Sequence, residues 1–575
     1  MRLSNTPSVA LSLLLAGSAF AKYESCSLLG PDVPIPKAVS QSSAFKDALV
    51  SLKKAISDAI GTGKTAYGNL DASETSFSLD IFSVHEEDAL FTYHYDAPEL
   101  PDPKEGVKKL DSNSIYRLGS ISKLLTMQIF LATVGDISFN EPITKYIPEL
   151  AAFATQHAAD DDIDFMDWDS VTIGALASQL GGIPRDIAGS PESDARAIDD
   201  LPDGVPAPIF SPLPENITDA ECPNFDAVPC TRAGVLGSIN VQHPAFAPSW
   251  GPAYSNVAYT LLQYALEDMS KQSFPDLFAS KFIKPLQLKD TYYSNAPISQ
   301  GIVPYNDTEA QYTNDLMALS PGGGFYSTTN DMRAIGKAIL NSTLLSPAQT
   351  RRWMKPLTFT ANDAVLVGAP WEILKAPLPE RATWMYTKGG DIGVYSTQII
   401  LLPDYGIGFN ILAAGDKAKE VNPIIADFVA AIGIPAFEQA AKEEAGNVYA
   451  GTYTRPGSND TLVLAVDKNP GLLVSRFLIN GTDVVTSFGG EGKQLRVVPS
   501  GLHGGKGKRQ GFRVVLAQKP SPEGAFVNTC TDWYIVSADV IAGVSLDDIV
   551  ITLNADGDKA VEVNARGYRV AYSRS

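Results

Sequence analysis

Apolar residues recur at the spacing of an α-helix in several stretches of the chain. In residues 45–60 they return every three or four positions, which predicts an amphipathic helix that ends at Gly61. A longer, mostly apolar helix is predicted over residues 120–134. Further helices are predicted over 257–269, 275–282 and 331–340, with a turn and short helix at 140–148.

Alternating apolar and polar positions indicate β-strands elsewhere. Residues 76–83 and 89–95, joined by a polar turn, predict a hairpin, and a strand pair is predicted at 385–402 and 408–413. After about residue 445 the pattern changes to short alternating runs separated by turn residues, which predicts a separate β barrel or sandwich. These runs are 462–466, 472–477, 495–498, 512–516, 533–536, 549–553 and 568–572.

The first 21 residues have the features of a secretory signal peptide. Arg2 precedes the apolar run 9–17, and Ala19-Phe20-Ala21 forms a small-residue cleavage site. We therefore expect a secreted, extracellular chain that begins at Lys22. No later apolar stretch reaches the roughly 18 residues that a transmembrane helix requires, which predicts a soluble mature chain with no membrane partner.

Charge and histidine spacing exclude other classes of partner. The 575 residues contain 45 Lys and Arg against 65 Asp and Glu, a net charge of −20, so the surface repels phosphate backbones. Nucleic acid is not an expected partner. The five histidines show no ligand spacing with Cys, Asp or Glu, so neither a metal site nor a cofactor is predicted.

Residues from about 185 to 250 follow neither pattern. They are rich in Pro, Asp and Ala and show little periodicity, which predicts a long surface insertion. The predicted organisation is therefore a signal peptide over residues 1–21, a main domain over 22–444 that carries this insertion, and a C-terminal β domain over 445–575. The oligomeric state cannot be inferred from these patterns.

Cysteines and glycosylation sequons fit a secreted chain. All four cysteines follow the cleavage site, and an even number in such a chain favours disulfides. Cys222 and Cys230 flank a Pro-containing loop and are expected to pair, which would leave Cys26 with Cys530, although three pairings are possible. For a eukaryotic source, Asn-x-Ser/Thr sequons predict glycosylation at Asn216, Asn306, Asn341, Asn459 and Asn480.

The pattern Ser120-x-x-Lys123 lies where a short strand-like run ends and an apolar helix begins. The Ser120 hydroxyl would therefore sit among unpaired backbone N–H groups, which stabilise developing negative charge. Lys123 projects from the same face of the helix and can reach the Ser120 oxygen. A buried lysine that loses its proton readily can activate such a hydroxyl as a nucleophile.

Two further patterns supply groups that would complete such a site. Tyr254-x-Asn256 precedes another long apolar helix and offers a phenol for proton transfer and an amide to hold a substrate carbonyl or the lysine. Lys388-Gly389-Gly390-Asp391 begins a strand whose small residues would let a substrate lie along the backbone. The Asp391 N–H could then join that of Ser120 in an oxyanion hole.

With these three elements in this order, the chain resembles the penicillin-recognising serine hydrolases: class C β-lactamases, D-alanyl-D-alanine peptidases and β-lactamase-like esterases and acyltransferases. The resemblance covers roughly residues 76–416. With its signal peptide and C-terminal β domain, the chain looks like a fungal secreted β-lactamase-like protein. It implies an α/β fold in which an antiparallel sheet is flanked by helices and an all-helical lobe, with an appended all-β domain.

The resemblance also implies a mechanism. Ser120 would attack the carbonyl of a small-molecule ester, amide or lactam and form an acyl-enzyme, while Lys123 and Tyr254 move the proton. The substrate-binding residues would be Asn256, Lys388, Gly389, Gly390 and Asp391.

The third element departs from the family pattern, which usually has Thr or Ser where this chain has Gly389, so a hydroxyl that would bind a substrate carboxylate is missing. No Glu-x-x-Leu-Asn water-activating element of the class A type is present, so deacylation would use Tyr254 or Lys123. Two alternatives remain open. One is acyl transfer to another small molecule in secondary metabolism, and the other is a non-catalytic protein that binds an acyl group or peptide.

Overall fold

The computed structural model describes residues 28–98, 105–187, 230–489, 494–517 and 532–575. These residues form two compact units. One comprises Val33–Pro377 and Thr383–Val448, and we call it the main unit. The other, the C-terminal unit, comprises Tyr449–Ser575, the short segment Leu378–Ala382 and the described residues up to Asp32.

An antiparallel sheet of eight strands lies at the centre of the main unit. The strands follow the order β2-β1-β8-β7-β6-β5-β4-β3, so that the N-terminal hairpin pairs with the last strand of the unit. Every residue of β1 and β8 is buried, which means that both faces of the sheet are covered at its centre. The strands are β1 (Thr75–Ser83), β2 (Ala89–Tyr95), β3 (Thr358–Phe359), β4 (Val365–Val367), β5 (Glu372–Lys375), β6 (Trp384–Ile392), β7 (Tyr395–Leu402) and β8 (Ile407–Gly415).

Helices accompany the sheet along the whole main unit. The principal ones are α1 (Ser43–Thr62), α2 (Ile121–Val134), α3 (Val257–Ser270), α4 (Thr329–Leu340) and α5 (Ala418–Val448). Helix α4 lies close on the sheet, since a Cβ added at Gly336 would come within 2.3 Å of the Phe82 ring. Shorter helices are Pro148–Gln156, Ile173–Ala177, Arg232–Asn240, Phe274–Leu277 with its continuation Phe278–Ile283, and Pro347–Trp353.

Helix α2 runs through the hydrophobic core of the helical lobe. All of its residues from Ile121 to Leu131 are buried, as expected for a helix that is apolar on every side. The same core contains apolar residues of α3 and of the short helices Ile173–Ala177 and Arg232–Asn240. A helix packed in this way holds the residue at its N-terminus in a fixed position.

The C-terminal unit is an all-β barrel. Its strand Thr461–Ala465 pairs with Gly451–Thr454 on one side and with Leu472–Ile479 on the other, which closes the sheet. The remaining strands of this sheet are Thr482–Asp483, Gln494–Gly504, Arg509–Ala517, Asp548–Leu553, Ala560–Ala565 and Val570–Arg574, and Val540–Ile541 pairs with Val544–Ser545 in a separate sheet.

Two strand predictions differ from the structure, and several strands were not predicted. Residues 385–402 form two strands, β6 and β7, because the chain reverses at Gly393, whose φ is 52°. The run 533–536 is not a strand, since the short helix Asp532–Ile535 occupies it and leaves its aromatic residues exposed. The strands Gly451–Thr454 and Ala560–Ala565 were not predicted, because their sequences carry too few large apolar residues.

Several helices also went unpredicted, among them Arg232–Asn240 and α5. Residues 231–240 were expected to lie in an irregular insertion, but Thr231 caps the helix Arg232–Asn240 through a hydrogen bond from the Gly234 N–H. Within the described residues, one helix, α5, is long and apolar enough by composition to cross a membrane, contrary to the expectation that no later stretch would be. Of its most apolar window, 61% is buried, so α5 packs as a core helix of the main unit.

Several sequence predictions fall wholly or partly outside the described residues. The signal peptide, most of the insertion, Asn216, Cys26, Cys222 and Cys530 all lie there. Cys230 is disulfide-bonded, but the pairing itself remains a prediction. Asn341, Asn459 and Asn480 are exposed, whereas Asn306 is half-buried and caps a short helix, and glycosylation at these positions also remains a prediction.

Shortening a buried side chain of α2 should destabilise the main unit. We expect Ile129→Ala, at a fully buried position, to lower the free energy of unfolding by about 2–5 kcal/mol because it leaves a cavity in the core. Val50→Ala on α1, where the side chain is 72% exposed, should change it by less than about 0.5 kcal/mol. Chemical denaturation followed by circular dichroism measures both, and equal stabilities would contradict the central position of α2.

Candidate active site

Ser120 occupies a sharp turn between a two-residue strand, Tyr116–Arg117, and helix α2. The turn requires Gly119, whose φ of +51° is left-handed and whose added Cβ would lie 2.8 Å from the Asp391 nitrogen. Ser120 is the N-cap of α2, yet its side chain makes no capping hydrogen bond. The hydroxyl instead accepts a hydrogen bond of 2.9 Å from the Lys123 Nζ.

Lys123 is fully buried, and its ammonium donates to three oxygens. Besides Ser120, it donates to the Asn256 Oδ1 at 2.6 Å and to the Gly322 backbone oxygen at 2.6 Å. Burial lowers the pKa of Lys123, and the nearby positive charge of Lys388 lowers it further, while Tyr254 opposes the shift. The amine is therefore closer to a proton-accepting state than an exposed lysine.

Asn256 holds the lysine from the opposite side. It is the N-cap of α3, but like Ser120 its side chain does not cap its own helix. The Oδ1 accepts from Lys123, and the Nδ2 donates to the buried Asp186 at 2.6 Å. Because Asp186 engages the nitrogen, the amide oxygen is oriented towards the ammonium.

The loop that carries Tyr254 is positioned by an irregular segment at residues 179–186. The Ser255 N–H donates to the Gln179 Oε1 at 2.6 Å, and the Asn256 N–H donates to the Arg185 backbone oxygen at 2.7 Å. The Arg185 guanidinium lies 5.4 Å from the centre of the Tyr254 ring. This segment ties the loop to the start of α3 through both backbone and side-chain contacts.

Tyr254 stands between two buried lysines. Its ring centre lies 4.9 Å from the Lys123 Nζ and 5.4 Å from the Lys388 Nζ. Burial alone would raise the pKa of the Tyr254 phenol, but the ammonium charges of Lys388 and Lys123 outweigh burial and lower it. The phenolate is therefore easier to form here than on an isolated tyrosine.

Lys388 approaches the same site from strand β6. Its side chain is 2% exposed, and its Nζ donates to the Glu372 Oε1 at 2.6 Å and to the Gly389 backbone oxygen at 2.7 Å. Burial by itself would lower the pKa of Lys388, but the charges of Glu372 and Tyr254 outweigh it and raise the pKa. Lys388 therefore stays positively charged beside the phenol.

The edge of β6 is open where it faces Ser120. Pairing between β5 and β6 ends at Glu372 and Thr387, so none of the described strands lies beside the following residues of β6 on that edge. The Gly389 N–H points to this edge, where it donates to the Glu372 Oε2 at 2.9 Å. Since alternate residues of a strand direct their N–H groups to the same edge, the Asp391 N–H points there as well.

Gly390 allows β6 to touch the N-terminus of α2. A Cβ added there would lie 2.1 Å from the Leu118 oxygen and 2.6 Å from the Ser120 nitrogen, distances that no side chain tolerates. A Cβ at Gly389 would come no closer than 3.6 Å to any atom, so a larger residue fits at that position. The backbone nitrogens of Ser120 and Asp391 thus lie near one another where β6 meets α2, as the two donors of an oxyanion hole must.

The structure therefore brings together all eight residues predicted for the site. It adds three groups that the motifs did not indicate: the Glu372 carboxylate, the Asp186 carboxylate and the Gly322 backbone oxygen. No local pattern marks Glu372 or Asp186, although Gly322 falls in the Gly-rich run at 322–324. Among the described residues, no group of three or more His, Cys, Asp or Glu could hold a metal ion.

Two family models match the chain. One, described as "Beta-lactamase", matches residues 92–433. The other, described as "Beta-lactamase-like-like, C-terminal domain", matches residues 441–575. The first match contains all three predicted motifs, and the second contains the strands of the barrel.

Several curated proteins are similar to this chain. A beta-lactamase-like protein of Arthroderma benhamiae is 28% identical over 591 residues, which cover 94% of this chain and 95% of the relative. A probable hydrolase of Phoma sp. is 25% identical over 610 residues, 99% of this chain and 94% of the relative. A D-alanyl-D-alanine-carboxypeptidase/endopeptidase of Escherichia coli strain K12 is 24% identical over 310 residues, 52% of this chain and 70% of the relative.

The contrast between the two glycines gives a stability test. Gly390→Ala should lower the free energy of unfolding of the main unit by about 1–3 kcal/mol, because its Cβ would push β6 away from α2. Gly389→Ala, where the Cβ makes only ordinary contacts, should change it by less than about 0.5 kcal/mol. Thermal and chemical unfolding of the two variants would show this, and equal effects would argue against the close contact.

Proposed function

We propose that this chain, which belongs to the beta-lactamase family, is a secreted serine hydrolase. In this proposal it cleaves a small-molecule ester, amide or lactam through an acyl-enzyme on Ser120. The observation that carries the proposal is the arrangement around the Ser120 hydroxyl. That hydroxyl accepts a hydrogen bond from the buried Lys123, and the Tyr254 phenol, whose pKa is lowered, stands beside the same lysine. Such an arrangement is what a hydroxyl nucleophile needs in order to lose its proton at neutral pH.

In the first step, the Ser120 Oγ forms a bond to the substrate carbonyl carbon while its proton passes to the pair formed by Tyr254 and Lys123. The N–H groups of Ser120 and Asp391 donate to the oxyanion that develops. As the tetrahedral intermediate collapses, the bond to the leaving group breaks, and the proton held by the pair passes to the departing oxygen or nitrogen. An ester between Ser120 and the acyl group remains.

In the second step, water replaces the leaving group. Its oxygen attacks the acyl carbon, one of its protons passes to the same pair, and that proton returns to the Ser120 Oγ when the acyl bond breaks. The pair of Tyr254 and Lys123 can both accept and return this proton, because Lys388 keeps a positive charge next to the phenol and favours the ionised form of the phenol. Asn256 and Asp186 keep the lysine in place throughout.

Other features support the remaining parts of the proposal. The signal-like pattern over residues 1–21 and the disulfide at Cys230 favour an extracellular location. The name of the Escherichia coli relative refers to D-alanyl-D-alanine, so peptide-like amides belong among the substrates to be tested. The missing hydroxyl at Gly389 favours esters that need no carboxylate anchor.

Replacing the nucleophile should abolish turnover without unfolding the protein. We expect Ser120→Ala to lower hydrolysis of activated esters by at least about 1000-fold and to remove any acyl adduct. Intact-mass spectrometry after incubation with activated esters, a penicillin, a cephalosporin and a D-alanyl-D-alanine peptide measures both effects.

Ser51→Ala is a matched control, since Ser51 has the same spacing to Lys54 but lies exposed on α1. This variant should behave as wild type. Turnover that survives in Ser120→Ala would exclude Ser120 as the nucleophile, and an adduct without turnover would indicate a binding protein.

The pH dependence of kcat/KM should change when the positive charge of Lys388 is removed. Burial raises the pKa of the Tyr254 phenol and Lys388 lowers it, so removing the positive charge should raise that pKa. If the phenolate accepts the proton, Lys388→Met moves the rising limb of kcat/KM against pH to higher pH, whereas Lys388→Arg, which keeps the charge, moves it much less. An unchanged limb in Lys388→Met would contradict proton transfer through Tyr254.

A further inference from the structure

The Glu372 carboxylate lies at the open edge of β6, beside the positive charge of Lys388. Glu372, the residue of β5 at which pairing with β6 ends, places its Oε1 2.6 Å from the Lys388 Nζ. Its Oε2 accepts the Gly389 N–H at 2.9 Å. The Glu372 carboxylate thus pairs with the Lys388 ammonium and also accepts the Gly389 N–H, two groups that a ligand on this edge could otherwise bind.

We propose that Glu372 makes this edge a subsite that accepts substrates with an uncharged leaving group and rejects those with a carboxylate on it. The proposal rests on the function proposed above and specifies its substrate class. It assigns to Glu372 a role in specificity that none of the three motifs indicates.

The charges around Glu372 favour this reading. The Lys388 side chain is 2% exposed, so the lysine needs a counter-charge nearby, and Glu372 supplies it from a side chain that is 40% exposed. A ligand carboxylate could reach Lys388 only by displacing Glu372 or by lying beside it, and two like charges in such a site repel. The lysine is therefore not available to anchor an anionic substrate.

The side chains that follow Lys388 on this face of β6 add no compensating donor. A Cβ at Gly389 would point towards the Glu372 Oε2 at 3.6 Å, so a Ser or Thr hydroxyl would fit there, but the glycine provides none. Asp391 lies two residues further along β6, is exposed, and shares a face of the strand with Gly389. A second negative charge therefore stands on the same side of the subsite.

The strand geometry sets the size of a suitable probe. Gly389 and Asp391 are two residues apart, which is about 7 Å along a strand, and the Asp391 N–H marks the position of the scissile carbonyl. A carboxylate about 6–7 Å from that carbonyl would meet Glu372. The matched probes are 3-carboxyphenyl phenylacetate and its methyl ester, 3-(methoxycarbonyl)phenyl phenylacetate.

The test compares kcat/KM for these two esters in the full-length protein. Wild type should prefer the methyl ester, and Glu372→Gln should move the ratio towards the carboxylate ester by at least about tenfold, because one repelling charge is gone. Because the two kcat/KM values are divided within one variant, any effect of the substitution on Ser120, Lys123 or Tyr254 that changes both values equally cancels. Glu420→Gln, which removes an exposed carboxylate on α5, is the charge-matched control and should leave the ratio unchanged.

A second readout does not depend on turnover. Phenylboronic acids bind a nucleophilic serine as analogues of the tetrahedral intermediate, so titration calorimetry with 3-carboxyphenylboronic acid and its methyl ester should give the same order of preference. It should also show the same shift in Glu372→Gln. If neither ester is hydrolysed but the boronates follow this order, hydrolysis fails while the subsite stands.

Other outcomes would overturn the proposal. One is a wild type that takes the carboxylate probes as well as the methyl esters, which needs no variant and so does not depend on how Glu372→Gln folds. Another is a ratio that Glu372→Gln leaves unchanged while Ser120→Ala abolishes hydrolysis. That result would support the serine hydrolase mechanism and contradict the role of Glu372 in specificity. Boronates that bind equally well, or in the reverse order, would also argue against the role of Glu372.

Discussion

The ammonium of Lys123 is buried in the first turn of α2. An ammonium that is shielded from water needs an oxygen acceptor for each of its three protons. The three oxygens come from distant parts of the chain: the Ser120 hydroxyl, the Asn256 amide and the Gly322 carbonyl. Each must lie within hydrogen-bond distance, because an unpaired buried charge would destabilise the fold severely. The starts of α2 and α3 and the glycine-rich turn are therefore held around one nitrogen, and Ser120 is positioned as a consequence.

The same requirement shapes the electrostatics of the site. Two buried lysines near one another would repel, but the Tyr254 phenol lies between them and the Glu372 carboxylate pairs with the second. Burial works against every charge here, and the neighbours decide which charge survives: the pKa of Lys123 falls, while that of Lys388 rises. One lysine is thus suited to exchange a proton and the other to remain a fixed charge. The same carboxylate that keeps Lys388 charged also faces the open edge of β6, which links the chemistry to substrate choice.

Much of the architecture could be predicted from local patterns. The hairpin of β1 and β2, helices α1 to α4 and the change to short strands after residue 445 agree with the periodicity of apolar residues. The failures have physical causes. The run at 533–536 is apolar but exposed and helical, so its pattern was misread as a strand. Helix α5 was not predicted, although its composition alone would suit a membrane and most of its apolar window is buried in the unit. Barrel strands with few large apolar residues escaped notice because backbone pairing with neighbours, and not their own side chains, stabilises them.

What the sequence by itself determined is the set of local relationships: Ser120 and Lys123 one helical turn apart, Tyr254 and Asn256 at the start of a helix, and small residues after Lys388. These follow from spacing, since three residues on a helix or two at its cap have a fixed geometry. Only the tertiary structure decided which groups complete the site. Asp186 meets Asn256 across 70 positions, and Glu372 meets Lys388 because β5 and β6 pair in one register and stop at that residue. Contacts of this kind depend on how separate elements pack and pair, which no short stretch of sequence encodes.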